Sequence, residues 1–437
     1  MRAESTTHDD RKAGQAKAWA KQFSKQAMFC FVLKGRIFNS LAVSYADRVA
    51  AFAMPLLMLR GATGDEVYLR IEFVIAISVL VATFADAGLR NYVLFHFGRS
   101  RDVERTTLLT VRAAIFVFAA QIVLLGAGVA ASQALFLASS SYADLWLGVL
   151  RGIALSIIGV ATQILIIHDR PLVGILLSLS SWLIAAIALV LPQGTSVETT
   201  VSVFFAASFL VVLSVPILFW RLGVAKPSAE GLAFLREATT WGWPLLLGAA
   251  ATMLIPNITR IYGISNLSAT AAIALVFWMR IFSIIQLSHR AAIMIVSRSI
   301  FTSDERTGIS GAILRTYAQM VGPAVVLAFA VGLLTPLIDI PPAIKLPYLD
   351  PVPLFMIGIQ VTLWCLAALL EMPLTRQGRV LSVLLATALP SLFFLVFLVT
   401  TDIKGLSLLT AAMASVSALQ LMILVVFNFW WGGGKSA

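Results

Sequence analysis

WGWPLLLGAAATMLIPNITR, residues 241–260, carries no charge until its last position. An α-helix needs about 20 mostly apolar residues to cross the hydrocarbon of a bilayer, so this stretch reads as a membrane span. Its prolines, Pro244 and Pro256, would break a helix in water. Within a bundle, neighbouring helices and cavities can satisfy the carbonyls they free. The stretch lies in a run at 238–259, and eleven more runs of the same kind surround it. These are roughly 36–59, 67–88, 110–132, 145–167, 172–191, 200–221, 267–288, 317–337, 352–371, 379–400 and 406–430. Twelve spans follow.

Composition agrees. The 437 residues are 59% hydrophobic and only 12% charged, against roughly 25% charged in soluble domains. There is too little polar surface to coat a globule of this size. Cytosolic enzymes, secreted disulfide scaffolds and disordered chains are excluded together. Cys30 and Cys365 are the only cysteines, so no disulfide framework is implied. The first 25 residues are too polar to insert, and 26–33 is too short for a span. Trp19, Phe23 and Phe29 among Lys17, Lys21 and Lys25 fit either a basic amphipathic helix on the membrane surface or a disordered basic tail.

The net charge of +11 tests the topology. Most of the 32 Lys and Arg fall before the first run, after the last, or in alternate loops. The opposite face holds only Arg60, Arg70, Arg260, Lys345 and Lys404, and Arg48, Arg151 and Arg280 lie inside runs. Positive residues concentrate on the cytoplasmic side of membrane proteins, so both termini are expected there. Orientation accounts for the charge, and no nucleic-acid partner is needed. The longest outer loop, DIPPAIKLPYLDPV (339–352), has no room for a catalytic domain. The sequence has no GxxxxGK[ST] loop, and His96, His168 and His289 lack metal-ligand spacing. No enzyme activity, cofactor or metal is expected.

The chain divides into similar halves. Pro55 and Arg60 close the first run as Pro256 and Arg260 close the seventh, and Arg-Ser pairs follow at 99–100 and 298–299. The expectation is an all-α polytopic membrane protein of twelve transmembrane helices. Two six-helix lobes, 36–221 and 238–437, would be related by an axis along the membrane normal. A basic cytoplasmic or interfacial segment (1–35) precedes them, and a cytoplasmic linker (222–237) joins them. Such duplications are common in transporters, with the substrate site between the halves.

Charges inside spans sharpen this. A mid-span Arg costs about 2.5–3.5 kcal/mol or more, so it faces a cavity or a partner. Arg48 and Arg280 hold such positions, and Asp47 reads as the one mid-span acid. Asp47 could pair with Arg280 or Arg151 as structural glue. Alternatively, a surplus of Arg makes a cationic cavity for an anionic head group, since guanidinium forks bond phosphate and carboxylate oxygens in pairs. Arg48, Arg280, Arg260, Arg151 and Asn257 are the candidate substrate-binding residues. Arg151 could instead snorkel outward or pair with Asp144, seven residues earlier on the same face. Asp47 and Asp86 are candidates for coupling or gating, and Pro55, Pro244 and Pro256 for hinging.

Three stretches carry a family resemblance: PLLMLRG (55–61) with FADAGL (84–89), the 241–260 segment with ALVFWMRI (274–281), and LFMIGIQVTLWCLAALLEMPLTRQGRV (354–380). They resemble the multidrug/oligosaccharidyl-lipid/polysaccharide exporter superfamily in its polysaccharide-transport branch, the O-antigen flippases. In that pattern an acid commonly precedes the Arg at 260, where this chain has Thr259. A Gly-x-Tyr often opens the eighth span, where it has Ala271-Ala272-Ile273. The resemblance implies a flippase for undecaprenyl-diphosphate-linked oligosaccharide, the repeat unit of O-antigen or exopolysaccharide, in a bacterial inner membrane. It also implies membrane lipids, a polysaccharide polymerase and an export complex as partners. A multidrug or metabolite exporter of the same fold is the alternative.

Overall fold

The computed structural model describes residues 46, 49–59, 64–134, 140–168, 171–192, 195–221, 228–302, 309–334, 350–377 and 379–430. Asp47, Arg48, Arg60, the 1–35 segment and most of the 339–352 loop lie outside them. The described residues are helical, with no strand among them.

Each apolar run coincides with helix. The described part of the first run is α1 (49–57). There follow α2 (Gly64–Ala85), α3 (Leu89–Ser100), α4 (Val103–Ala134), α5 (Ser140–Ile167), α6 (Pro171–Ala185), α7 (Val197–Phe204) and α8 (Ala206–Arg221). The second half contains α9 (Ala229–Asn266), α10 (Ala269–Thr302), α11 (Gly311–Leu334), α12 (Pro351–Arg376), α13 (Val380–Thr400) and α14 (Leu406–Trp430). Among the described residues, nine helices are long and apolar enough to cross a membrane, or ten if α9, bent by 54° beside Pro244, is one span. The fifth run is split into α6 and a 3₁₀ turn at Ala186–Val190, and the sixth into α7 and α8.

Three boundaries differ from the sequence reading. The short helix α3 fills what reads as a loop. The stretch read as linker is helical from Ala229, where the Ser228 hydroxyl caps the new helix by accepting from Gly231 N–H at 3.2 Å. Arg70 and Arg260, read as lying at the outer face, lie inside α2 and α9.

The halves share a packing plan. In the first, α5 touches the second, third, fifth and sixth spans of its own half (α2, α4, α6 and α8). In the second, α12 touches α10, α11, α13 and α14, the same set. Recurrence of this pattern is what a duplicated six-helix unit produces. Lipid tails are as apolar as leucine, so close fit and polar contacts hold such bundles together. Gly148 and Gly152, one turn apart on α5, let α2 approach: a Cβ on Gly152 would lie 3.0 Å from the Ser78 carbonyl oxygen. In the second half, Gln360 donates to Ser417 at 3.3 Å and Asn428 to the Leu370 carbonyl at 3.1 Å, tying α12 to α14.

The halves meet along α9 and α10, α9 packing on α2, α3 and α4 while α10 packs on α2. Beside the start of α2, Tyr68, Ile273 and Val276 form an apolar seal with Leu56, Leu59 and Ile264. Beside its end, Gly88 adopts φ 84°, a left-handed conformation, and its Cα faces Gly242 of α9. Tyr92 there donates to Glu237 at 2.7 Å, Arg112 donates to Glu230 at 3.1 Å, and Phe95 stacks on Trp241.

Candidate functional site

Between these two contact zones lies a cavity of about 300 Å³. Its walls come from both halves: α1, α2, α5 and α6 on one side, α9, α10 and α12 on the other. Arg151, Arg260 and Arg280 line it together with Asn257 and Pro256, so five of the candidate residues converge here. The remaining polar and indole lining is Ser78, Ser178, Ser283, Gln286, Trp182 and Trp364, set among apolar residues such as Phe52, Ile75, Leu155 and Leu287. Guanidinium groups, amides, hydroxyls and aromatic faces are the equipment for anionic, hydroxyl-rich ligands.

The electrostatics depend on a residue the charge reading passes over. Glu72 of α2 is completely buried, and its Oε1 accepts from Arg280 Nε. Its Oε2 lies 4.0 Å from Arg260 Nη1 and accepts no hydrogen bond. Arg280 is anchored further through Nη1, which donates to the Ala51 carbonyl at 2.9 Å. One carboxylate of the first half thus holds two guanidiniums of the second. The reading of Asp47 as the one intramembrane acid is therefore corrected: Glu72 is a second, and it is the one that meets Arg280. A lone acid in the run VYLRIEFVIAISVL (67–80) is the signal that could have found it.

Arg151 is also placed differently from its sequence reading. Asp144 is taken by Arg70, whose Nε and Nη2 donate to it at 2.7 and 3.0 Å while Nη1 donates to Glu198 at 2.9 Å. Arg151 turns instead onto aromatic faces, its guanidinium carbon 4.6 Å from the Trp182 ring centre and 4.9 Å from that of Phe205. A cation over an aromatic face is attracted by the ring quadrupole, so the two rings help Arg151 keep its charge inside the bundle. Among the described residues, Arg151, Arg260 and Arg280 line the cavity, and Glu72 stands beside the last two.

The other candidates divide. Asn257 is nearly buried, and its side-chain amide donates to the Met253 carbonyl one turn back. Pro244 sits at the bend of α9, away from the cavity lining. Pro55 lies near the end of α1, and its carbonyl accepts from Met58 N–H at 3.1 Å. Asp86 is not in the lining. Its Oδ1 accepts from Gly88 N–H at 2.9 Å and its Oδ2 lies 3.6 Å from Arg90, which makes it the brace of the α2–α3 turn. Among the described residues no group of His, Cys, Asp and Glu could hold a metal ion.

No protein-family model matches this sequence, and no curated protein does. Solved structures do match in shape. One is a multidrug resistance MATE family transporter of the MOP superfamily in an inward-facing conformation. It has a TM-score of 0.51 at 13% identity, over 88% of this chain and 97% of that one. An outward-facing conformation of a MATE family transporter matches with a TM-score of 0.46 at 13% identity, over 90% and 92% of the two chains. At this identity the first likeness shows the fold. The chain is an all-α polytopic membrane protein with the two-lobe, twelve-helix architecture of that transporter.

Proposed function

We propose that the protein is a membrane exporter working by alternating access, and that its cargo is an undecaprenyl-diphosphate-linked oligosaccharide flipped across the bacterial inner membrane. The observation that carries this reading is the cavity between the halves, lined by the guanidiniums of Arg151, Arg260 and Arg280, with the Glu72 carboxylate beside the last two. A diphosphate offers more oxygens than one carboxylate and can occupy several guanidinium forks at once. Trp364 offers a ring edge for a sugar, Trp182 holds Arg151 at the wall, and Asn257, Ser283 and Gln286 offer partners for hydroxyls. A cavity of about 300 Å³ is at the small end of ligand sites, so the head group enters while the polyprenyl tail stays in lipid.

The alternative, export of cationic drugs or metabolites, is favoured by one feature. Glu72 is a buried acid beside the cavity, the kind of group that cation exporters depend on. Its engagement with two arginines argues against direct use on a cation, which would then approach two like charges. Reconstitution of the full chain in liposomes with a fluorescent polyprenyl-diphosphate disaccharide tests the choice. Transbilayer movement above that of empty liposomes is the expected result. Movement of a lipophilic cation with none of the glycolipid would overturn the reading.

A further inference from the structure

The two contacts that close the α2–α10 interface stand in register. Tyr68 and Glu72 are four residues apart on α2, as are Val276 and Arg280 on α10, so each pair occupies one face of its helix. Tyr68 packs with Val276 and Ile273 in the apolar seal, and one turn deeper Glu72 holds Arg280. The seal and the ion pair therefore form one latch, and a shift of α2 that parts Glu72 from Arg280 also lifts Tyr68 off Val276. The latch is unevenly bonded. Glu72 Oε2 is buried without a hydrogen bond, and so is Arg260 Nε, although their side chains approach to 4.0 Å. Arg280 already spends Nε on Oε1 and Nη1 on the Ala51 carbonyl, and one short carboxylate does not reach both guanidinium forks at once, so Oε2 and Arg260 Nε stay unfilled. Leaving buried donors unfilled is costly, so a richer acceptor would be preferred over Glu72.

We propose that Glu72 is the specificity-determining residue of the exporter, a built-in competitor for the anionic group of the substrate. This inference rests on the reading of the cavity as an anion site. With the cavity empty, Glu72 holds Arg260 and Arg280 and keeps the seal shut. A diphosphate takes over both arginines, Glu72 is released, and α2 separates from α10. Only a ligand with an anion able to outbid the carboxylate opens this end. A neutral oligosaccharide or a cation leaves the latch closed. Cargo selection and gate opening become one event, because ligand and gate use the same two guanidiniums. A ligand shifts a conformational equilibrium only by its difference in affinity for the two states, and displacement of Glu72 supplies that difference.

The full chain in lipid nanodiscs, with both native cysteines replaced, would carry spin labels at Glu66 and Thr270. Both are exposed, at the starts of α2 and α10. The probe is inorganic pyrophosphate, with a neutral disaccharide as control. Binding is read by calorimetry and the label separation by pulsed electron resonance. Pyrophosphate should lengthen the separation and the disaccharide should not. Glu72→Gln should widen the separation without ligand and bind pyrophosphate about tenfold more tightly or better, since losing a hydrogen bond to a charged group is worth that much. Glu72→Asp should stay closed and responsive. Saturation of the labelled parent chain at unchanged separation would overturn the latch and leave the anion site standing, even if Glu72→Gln fails to fold. Absence of pyrophosphate binding in both parent and Glu72→Gln would overturn the anion site, and the latch with it.

Discussion

Glu72 and Arg280 should behave as one thermodynamic unit, and a double-mutant cycle measures this. Glu72 is fully buried and the Arg280 side chain is 9% exposed, so water screens the pair little. Replacing Glu72 by Met strands the buried Arg280 and removes the counter-charge of the partly buried Arg260, a change that costs about 3–5 kcal/mol when a buried pair loses one partner. Replacing Arg280 by Met is milder, because Arg260, already 4.0 Å from Glu72, can close on the carboxylate. Methionine keeps most of the side-chain volume, so cavity formation contributes little to either change. The double variant removes the charge and its counter-charge together, and should be less destabilised than the two single variants summed, by roughly 1–3 kcal/mol. Unfolding of the full chain in mixed micelles with rising SDS fraction, followed by tryptophan fluorescence, gives the three differences. The coupling should persist in about 0.5 M KCl, since screening acts on exposed charges far more than on buried ones. Additivity within about 0.5 kcal/mol would mean that Glu72 and Arg280 do not interact. The account of the cavity charge would then fall.

Three further outcomes are expected. Gly152→Leu should force α5 off α2, because even a Cβ there meets the Ser78 carbonyl oxygen at 3.0 Å; overpacking of this kind costs about 1–3 kcal/mol, so folded yield by size-exclusion chromatography should drop while Gly126→Leu, in open space, should leave it unchanged. Arg280→Ala or Arg151→Ala should abolish glycolipid movement in liposomes with insertion intact, and Arg280→Lys should restore only part of it, keeping the charge but losing the planar fork; full activity in both Ala variants would remove the arginines from the site. Pro244→Ala should restore a backbone hydrogen bond at the 54° bend of α9 and slow transport at unchanged membrane levels, whereas an unaltered rate would mean that the bend only shapes a static helix.

Span number and helix identity were legible because hydrocarbon imposes two demands that show in one dimension: length and apolarity. The twelve runs are each found as helix, wholly or in their described part. The pairing of helices was less legible. Nothing in the spacing of α5 says that its Gly148-Gly152 face meets α2, because periodicity gives a face without giving its partner. Arg280, deep in its run, announced itself as a cavity residue. Arg151 was also suspected, but its partners depended on which helix stood opposite, and Arg70 proved the nearer claimant for Asp144.

The omission of Glu72 has a more specific cause, the same that put Arg260, a candidate binding residue, on the outer face rather than inside a span. Both stand near the edges of their apolar runs, where a charge in the sequence looks like a loop or interfacial residue. The helices do not stop where the runs do: α2 begins at Gly64 and α9 ends at Asn266. At 1.5 Å per residue this sets Glu72 about 12 Å and Arg260 about 9 Å inside their helices. A hydropathy profile measures the average environment of a window, and a helix that extends beyond its window carries edge charges into the interior. Such charges survive there only by finding one another across an interface. In this chain the acid comes from one half and the base from the other. A reading taken run by run could count each charge but could not join them, and the joining is what makes the site.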